Sequence, residues 1–177
     1  RGKFLNNTTG KSSTAAKFAS AFALAHSLLQ RDSLFRNADR RKTYYDKALS
    51  AYKFARQKPG VTQTASVKAP YIYAEGNWVD DMELATAMLA KANKLSINTA
   101  YEYAKQEPLT PWLGKDTASH YQWYPFINLG HYELAQQLKG AQRDTIIGFY
   151  KKGIDAVWQK AKQNAFYRGV PFIWCSN

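Results

Sequence analysis

The feature that most restricts the fold of this chain is a repeated ten-residue segment. Ser50-Ala-Tyr-Lys-Phe-Ala-Arg-Gln-Lys-Pro59 matches Thr99-Ala-Tyr-Glu-Tyr-Ala-Lys-Gln-Glu-Pro108 at nearly every position by residue type. The two copies are offset by 49 residues, and a weaker third copy lies around residues 155–164. Each copy has an apolar stripe at helical spacing, and the first two end at a proline. The spacing therefore predicts helical hairpins repeated along the chain.

Apolar periodicity predicts two kinds of helix in these hairpins. The repeated helices carry Lys, Arg and Gln beside an apolar stripe, as outer helices do, whereas their partners are rich in Ala, Phe, Met and Leu. We expect an all-α fold with inner and outer helices, closer to an α/α toroid than to an open solenoid. The predicted helices are Thr14–Gln30, Tyr44–Gln57, Val79–Asn93, Ile97–Gln106, about Tyr124–Leu138 and about Arg143–Asn164.

The composition excludes several classes of function. The formal net charge is +12, but the basic residues are spread along the helices and only Arg40-Arg41-Lys42 forms a cluster. We interpret this charge as solvated helix faces and expect no nucleic-acid partner. No run approaches the ~20 apolar residues of a membrane span, so none is expected. The lone Cys175 excludes an internal disulfide framework.

Nucleotide and metal sites are not indicated either. Thr9-Gly-Lys-Ser-Ser13 resembles the end of a phosphate-binding loop, but the motif needs a glycine where this chain has Leu5. A turn followed by a helix start explains the segment. His26, His120 and His131 lack the spacing of metal ligands. We therefore predict no cofactor and no metal.

Aromatic and acidic residues crowd the segment before the third helix. Tyr71, Tyr73 and Trp78 precede Asp80 and Asp81 in the first helical turn. Acidic residues are favoured there without any ligand, because unpaired N–H groups point to that end. The adjacent rings favour a further role, since aromatic faces stack on sugars and carboxylates accept hydrogen bonds from hydroxyl groups.

Two more aromatic clusters follow in corresponding positions. His120, Trp123 and Tyr124 lie where the fifth helix begins, and residues 166–174, including Trp174, follow the last helix. Aromatic residues near helix ends are often part of the core. Their recurrence at one end of successive hairpins favours a binding surface.

At these clusters the chain resembles glycoside hydrolase family 9. The likeness is carried by residues 71–84, 118–135 and 169–177 and by the opening segment 9–23. It covers nearly the whole chain in order, and it is greatest toward endoglucanase-like members of Bacteroides-type bacteria. The resemblance implies an (α/α)6 barrel of twelve helices that hydrolyses β-glucans with inversion. It also implies a secreted, periplasmic or cell-surface location.

The resemblance also implies that the catalytic carboxylates belong to other parts of the same catalytic domain. Inversion needs a base and an acid carboxylate roughly 6.5–9.5 Å apart. In the family these come from an Asp-x-Gly-Asp motif near the start of the domain and a Glu near its end, and this sequence contains neither. Adjacent helical residues such as Asp80 and Asp81 point about 100° apart and cannot replace them. We assign no catalytic residue, and expect residues 1–177 to be an inactive fragment of one domain.

The expected role of this chain is to supply walls of the substrate cleft. Six helices in three hairpins amount to about half of the barrel. The inner helices would then expose apolar faces, so this chain should need the rest of the barrel to cover them. The expected partners are the remainder of the catalytic domain and a β-linked glucan or related glycan. The predicted substrate-binding residues are Tyr73, Trp78, Asp80, Asp81, His120, Trp123, Tyr124 and Trp174.

One alternative remains open from the residues alone. A helical-hairpin repeat protein would use the basic outer faces to bind a protein or an acidic polymer. Its binding would weaken steeply with salt, whereas binding of a neutral oligosaccharide would not.

Overall fold

The computed structural model describes residues 8–31, 37–62, 77–92, 95–108 and 128–167. Within these ranges every regular element is a helix, which confirms the all-α prediction. The elements are α1 (Ser12–Arg31), α2 (Ala38–Gln57), α3 (Val79–Lys91), α4 (Ile97–Ala104), α5 (Leu129–Gln137) and α6 (Gly140–Ala161).

The helices pack as three consecutive hairpins. Within the hairpins, α1 contacts α2, α3 contacts α4, and α5 contacts α6. The first helix of each pair also contacts its counterpart in the next pair, so α3 lies between α1 and α5. These three are the inner helices predicted from their composition.

All three inner helices begin at one end of the bundle, which we call the loop end. Lys17 near the start of α1 contacts Asp81 in the first turn of α3. Glu83 of α3 in turn contacts His131 near the start of α5. The helices α2 and α4 run in the opposite direction and finish at this end. The described residues that directly precede α3 and α5 therefore lie at this end, namely Asn77, Trp78 and Asn128.

The segment before α1 is held by the end of α2. Lys11 N–H donates to the Lys58 carbonyl group at 2.8 Å, and Ser12 N–H donates to that of Gly60 at 2.9 Å. A Cβ atom on Gly10 would lie 2.4 Å from Gly60 N, so the two backbones touch. These N–H groups of the phosphate-loop-like segment are already paired with carbonyl oxygens, which agrees with the prediction of a simple turn.

Two helix starts differ from their predicted positions because asparagine side chains cap them. Helix α2 begins at Ala38 rather than Tyr44, since Asn37 Oδ1 accepts from Arg40 N–H. Helix α5 begins at Leu129 rather than about Tyr124, since Asn128 is extended and caps it with Oδ1. An asparagine in this position satisfies N–H groups that have no partner within the helix.

In the described part of the chain, the buried apolar residues form two clusters, one at each junction between neighbouring inner helices. The first joins α1, α2 and α3 through small residues such as Ala16, Ala19 and Ala85, with Met82 and Leu89 filling the centre. The second joins α3, α4, α5 and α6. Its buried members are Ala87, Ala100, Ala104, Leu134, Leu138 and Ile146.

Candidate functional site

The predicted site residues that the structure describes lie together at the loop end. Trp78 directly precedes α3, and its ring packs edge-on against Tyr103 of α4 with centroids 6.4 Å apart. Asp80 and Asp81 occupy the first turn of α3, as predicted. Trp78 is partly exposed, and so are both carboxylate residues.

The two adjacent carboxylates have different surroundings. Asp81 Oδ2 is 2.6 Å from Lys17 Nζ, and only 12% of the Asp81 side chain is exposed. Asp80 Oδ1 accepts a hydrogen bond of 3.0 Å from Asn77 Nδ2. Asp81 therefore joins two inner helices, whereas Asp80 connects the first turn of α3 to the residue Asn77 that precedes it.

Five polar residues, which we call the polar cluster, connect the starts of α3 and α5 below this surface. Glu83 and His131 lie on the two inner helices, Glu107 follows α4, and Asn77 and Asn128 precede α3 and α5. Glu83, Glu107, Asn128 and His131 are buried. Buried polar groups cost free energy unless they are hydrogen-bonded, so the partners of each residue matter.

Glu83 and His131 form the centre of the polar cluster. His131 Nδ1 is 2.7 Å from Glu83 Oε1, and His131 Nε2 is 3.0 Å from the Glu107 carbonyl oxygen. A carbonyl oxygen only accepts, so Nε2 carries a proton. One proton also lies between Nδ1 and Oε1. Burial raises the pKa of Glu83, although its hydrogen bond with His131 opposes this rise.

Asn128 connects this pair to the backbone of α5. Its Oδ1 accepts from the N–H groups of Gly130 at 2.8 Å and His131 at 3.3 Å. This fixes the orientation of the amide, so Nδ2 points to Glu83 Oε2 and Glu107 Oε2, both at 3.2 Å. One side chain thereby caps α5 and binds two buried carboxyl groups.

Asn77 has the matching role before α3. Its Oδ1 accepts from the N–H groups of Trp78 at 2.8 Å and Val79 at 3.2 Å. Its Nδ2 therefore points away from these N–H groups and donates to Asp80 and to Glu107 Oε1. Glu107 is thus bound by one amide at the start of α3 and one at the start of α5.

The surroundings of Glu107 favour its neutral form. Burial raises the pKa of Glu107 to about 8, and the nearby charge of Asp80 adds to this rise, while the Asn77 hydrogen bond opposes it. Burial disfavours the charged form of a carboxyl group because water no longer solvates it. A neutral carboxyl group still accepts hydrogen bonds, so its contacts with Asn77 and Asn128 are compatible with this form.

Two further residues complete the packing around the polar cluster. The Tyr150 hydroxyl group of α6 donates to the Asn128 carbonyl oxygen at 2.6 Å. At Gly130, a Cβ atom would lie 2.7 Å from Glu83 Cδ. A side chain at this position would force the buried Glu83 carboxyl group to shift.

This geometry determines which chemistry the polar cluster can perform. Glu83 is fully buried and Glu107 is 2% exposed, so neither carboxyl group reaches a bound polymer. Among the described residues, no group of three or more His, Cys, Asp or Glu side chains is arranged to hold a metal ion. The cluster is suited to fixing the positions of the segments that carry Trp78 and Asp80.

The buried polar residues of this region were not predicted from the sequence, and the substrate-binding role of Trp78, Asp80 and Asp81 stays a prediction. The residues Asn77, Glu83, Glu107, Asn128 and His131 were not predicted to act together. The predicted residues Tyr73, His120, Trp123, Tyr124 and Trp174 lie outside the described ranges.

Comparison with known proteins assigns the chain to a family. A family model described as Glycosyl hydrolase family 9 matches residues 2–177. Searches of curated proteins and of solved structures gave no match. In the part of the chain that the structure describes, no helix combines the length and the apolar character that crossing a bilayer requires.

Proposed function

Since this chain belongs to glycosyl hydrolase family 9, we propose that the protein containing it cleaves a β-linked glucan or a related polysaccharide, and that this chain forms walls of the substrate cleft. The observation that supports this most is the match across residues 2–177. The six helices, paired as inner and outer helices, agree with about half of an (α/α)6 barrel.

The proposed mechanism is inversion by two carboxylates that lie outside this chain. A base carboxylate activates water while an acid carboxylate protonates the leaving oxygen. Asp80 and Asp81 do not form such a pair, because Asp81 is paired with Lys17 and Asp80 with Asn77. Their proposed roles are to accept hydrogen bonds from sugar hydroxyl groups and to hold the segment that enters α3.

Trp78 is the described residue best placed to stack on a sugar ring. It lies at the loop end, is partly exposed, and is oriented by Tyr103. We propose the same role for Trp123 and Tyr124, with His120, Tyr73 and Trp174 completing the surface. Aromatic contacts of this kind contribute through both apolar area and ring geometry.

Kinetics of the full-length protein on cellodextrins test this role. Trp78→Ala and Trp123→Ala should each lower kcat/KM about tenfold, which corresponds to about 1.4 kcal/mol of transition-state binding. Tyr45→Ala is the control, because Tyr45 contacts His26 at the opposite end of the first hairpin. Unchanged kinetics in both variants would contradict the proposal that Trp78 and Trp123 stack on the substrate.

Activity of the isolated chain tests the proposal that the catalytic base and acid lie outside it. Residues 1–177 alone should not turn over cellodextrins, because the proposed base and acid belong to other parts of the domain. Turnover by the pure isolated chain would contradict this. The location outside the cytoplasm and the likeness to endoglucanase-like enzymes of Bacteroides-type bacteria rest on the resemblance and stay predictions.

Salt dependence separates this function from the repeat-protein alternative. Binding of a neutral oligosaccharide should change little between low and high salt, because no phosphate or sulfate charge is neutralised. Steep loss of binding to heparin or nucleic acid with salt, without any binding of neutral glycans, would favour the alternative.

A further inference from the structure

We propose that Glu107 is a positioning residue for the substrate cleft: its carboxyl group holds the starts of α3 and α5 at a fixed separation through Asn77 and Asn128, and so places Trp78 relative to the start of α5. This inference rests on the proposed function. The family resemblance assigned no role to Glu107, and no motif or spacing pointed to one.

The geometry that supports this role is a symmetric pair of contacts. Glu107 Oε1 accepts from Asn77, next to Trp78, and Glu107 Oε2 accepts from Asn128, which caps α5. Both amides are oriented by backbone N–H groups that occupy their oxygen atoms. Each amide therefore presents its NH₂ group to Glu107, and the carboxyl group bridges two segments that come from different hairpins.

The backbone of Glu107 adds a third contact in the same place. Its carbonyl oxygen accepts from His131 Nε2 at 3.0 Å, and its N–H group donates to the Ala104 carbonyl oxygen at 3.0 Å. The residue is thus fixed to the end of α4 and to the start of α5. A displacement of Glu107 would therefore shift the starts of α3 and α5.

Charged groups around Glu107 make this bridge sensitive to its ionisation. Asp80, Asp81 and Glu83 of α3 act on it electrostatically, and His131 of α5 contacts its carbonyl group. Ionisation of Glu107 places a further negative charge beside these carboxyl groups of α3. Repulsion between like charges then opposes the close approach of the end of α4 to α3. Burial raises the pKa of Glu107 to about 8, which favours the neutral form of the bridge.

The test uses two variants of Glu107 in the full-length protein. Glu107→Ala removes both bridging contacts, whereas Glu107→Gln keeps the shape and one accepting oxygen. The control is Glu102→Gln, which makes the same chemical change on the exposed side of α4, where Glu102 pairs with Lys105 at 2.8 Å.

We expect Glu107→Ala to raise KM for cellodextrins about tenfold and Glu107→Gln about threefold, since a lost buried hydrogen bond changes an equilibrium by this order. The kcat per folded molecule should change less than twofold, and Glu102→Gln should match the unmodified protein. The KM of the unmodified protein should also rise above pH 8, and Glu107→Gln should lack this rise. A residue that only filled space would lower the folded fraction and leave KM unchanged.

Unchanged KM in both Glu107 variants would overturn the proposal, as would a loss confined to kcat. If Glu107→Ala does not fold, the isosteric Glu107→Gln decides the question by itself. A full-length protein without any glycan hydrolysis would instead contradict the proposed function. In that case the bridge is tested by the unfolding equilibrium of Asn77→Ala, Asn128→Ala and the double variant.

When Glu107 is present, the effect of the Asn77→Ala/Asn128→Ala double variant on the unfolding equilibrium constant should differ about fivefold from the product of the two single effects. The coupling should vanish in the Glu107→Gln background, because the bridge between the two amides is broken there. Additive effects in both backgrounds would overturn the proposal independently of activity.

Discussion

Burial and the charge of Asp80 raise the pKa of Glu107 from 4.5 to about 8, so the folded protein holds a proton that the unfolded chain releases. The stabilisation from this proton is complete below pH 4.5 and is lost as the pH rises to about 8. Stability should therefore fall across this range, with a slope of at most about 1.4 kcal/mol per pH unit.

Glu107→Gln should reduce this pH dependence, because glutamine does not titrate. Some slope should remain, since burial also raises the pKa of Glu83. Denaturant unfolding of the full-length protein at pH 5, 6, 7 and 8 measures the slopes, with Glu102→Gln as control. Equal slopes for Glu107→Gln and the unmodified protein would contradict the assigned pKa of Glu107.

The polar cluster also shows what a single sequence does not reveal. Asp80 and Asp81 were placed correctly in the first turn of α3, because acidic residues at a helix start follow from local electrostatics. Glu83 and His131 are 48 positions apart, and Glu107 and Asn128 are 21 apart. Only the packing of α3, α4 and α5 brings these side chains together, and no spacing rule connects them.

Helix α5 depends on the absence of a side chain at Gly130. A Cβ atom there would lie 2.7 Å from Glu83 Cδ, whereas one at Gly148 in α6 would meet nothing within 4 Å. Gly130→Ala should destabilise the protein by about 1–3 kcal/mol through overpacking. Gly148→Ala should be neutral or stabilise it by up to about 1 kcal/mol through helix propensity.

Thermal or denaturant unfolding of both glycine variants provides the comparison. The two substitutions add the same methyl group within a helix, so their difference reports the close contacts at Gly130, with Glu83 Cδ at 2.7 Å and Asn128 Oδ1 at 3.0 Å. Equal stabilities for Gly130→Ala and Gly148→Ala would mean that Glu83 moves aside at no cost.

The helices themselves were predictable because their signals are local. Apolar periodicity placed all six, and the difference between alanine-rich and lysine-rich helices identified the inner and outer members of each hairpin. The starts of α2 and α5 were wrong by several residues, because a single asparagine at position 37 or 128 decides where the helix begins. Periodicity does not reveal such caps.

The first hairpin carries an apolar surface that another part of the protein is expected to cover. An open groove of about 650 Å³ lies between α1 and α2, and its lining includes Phe18, Phe22 and Phe54 together with Lys11 and Lys47. Phe18 is 56% exposed and Phe54 is 48% exposed. Apolar patches of this kind are uncommon on free surfaces of soluble proteins.

The isolated 177-residue chain should therefore self-associate or bind a hydrophobic dye, whereas the full-length protein should do neither. Sedimentation and dye fluorescence measure this difference. Phe18→Ser should reduce dye binding by the isolated chain, and Tyr45→Ser is a control at the other end of the hairpin. A monomeric isolated chain without dye binding would show that this surface needs no cover.

The central proposal is that the full-length protein is an inverting glycosidase and that this chain contributes walls of its substrate cleft. Proton NMR of cellodextrin hydrolysis by the full-length protein tests this most directly, because it observes the anomer before mutarotation. We predict that the α-anomer appears first from a β-linked substrate. Initial release of the β-anomer, or no hydrolysis of any β-linked glycan, would contradict the account.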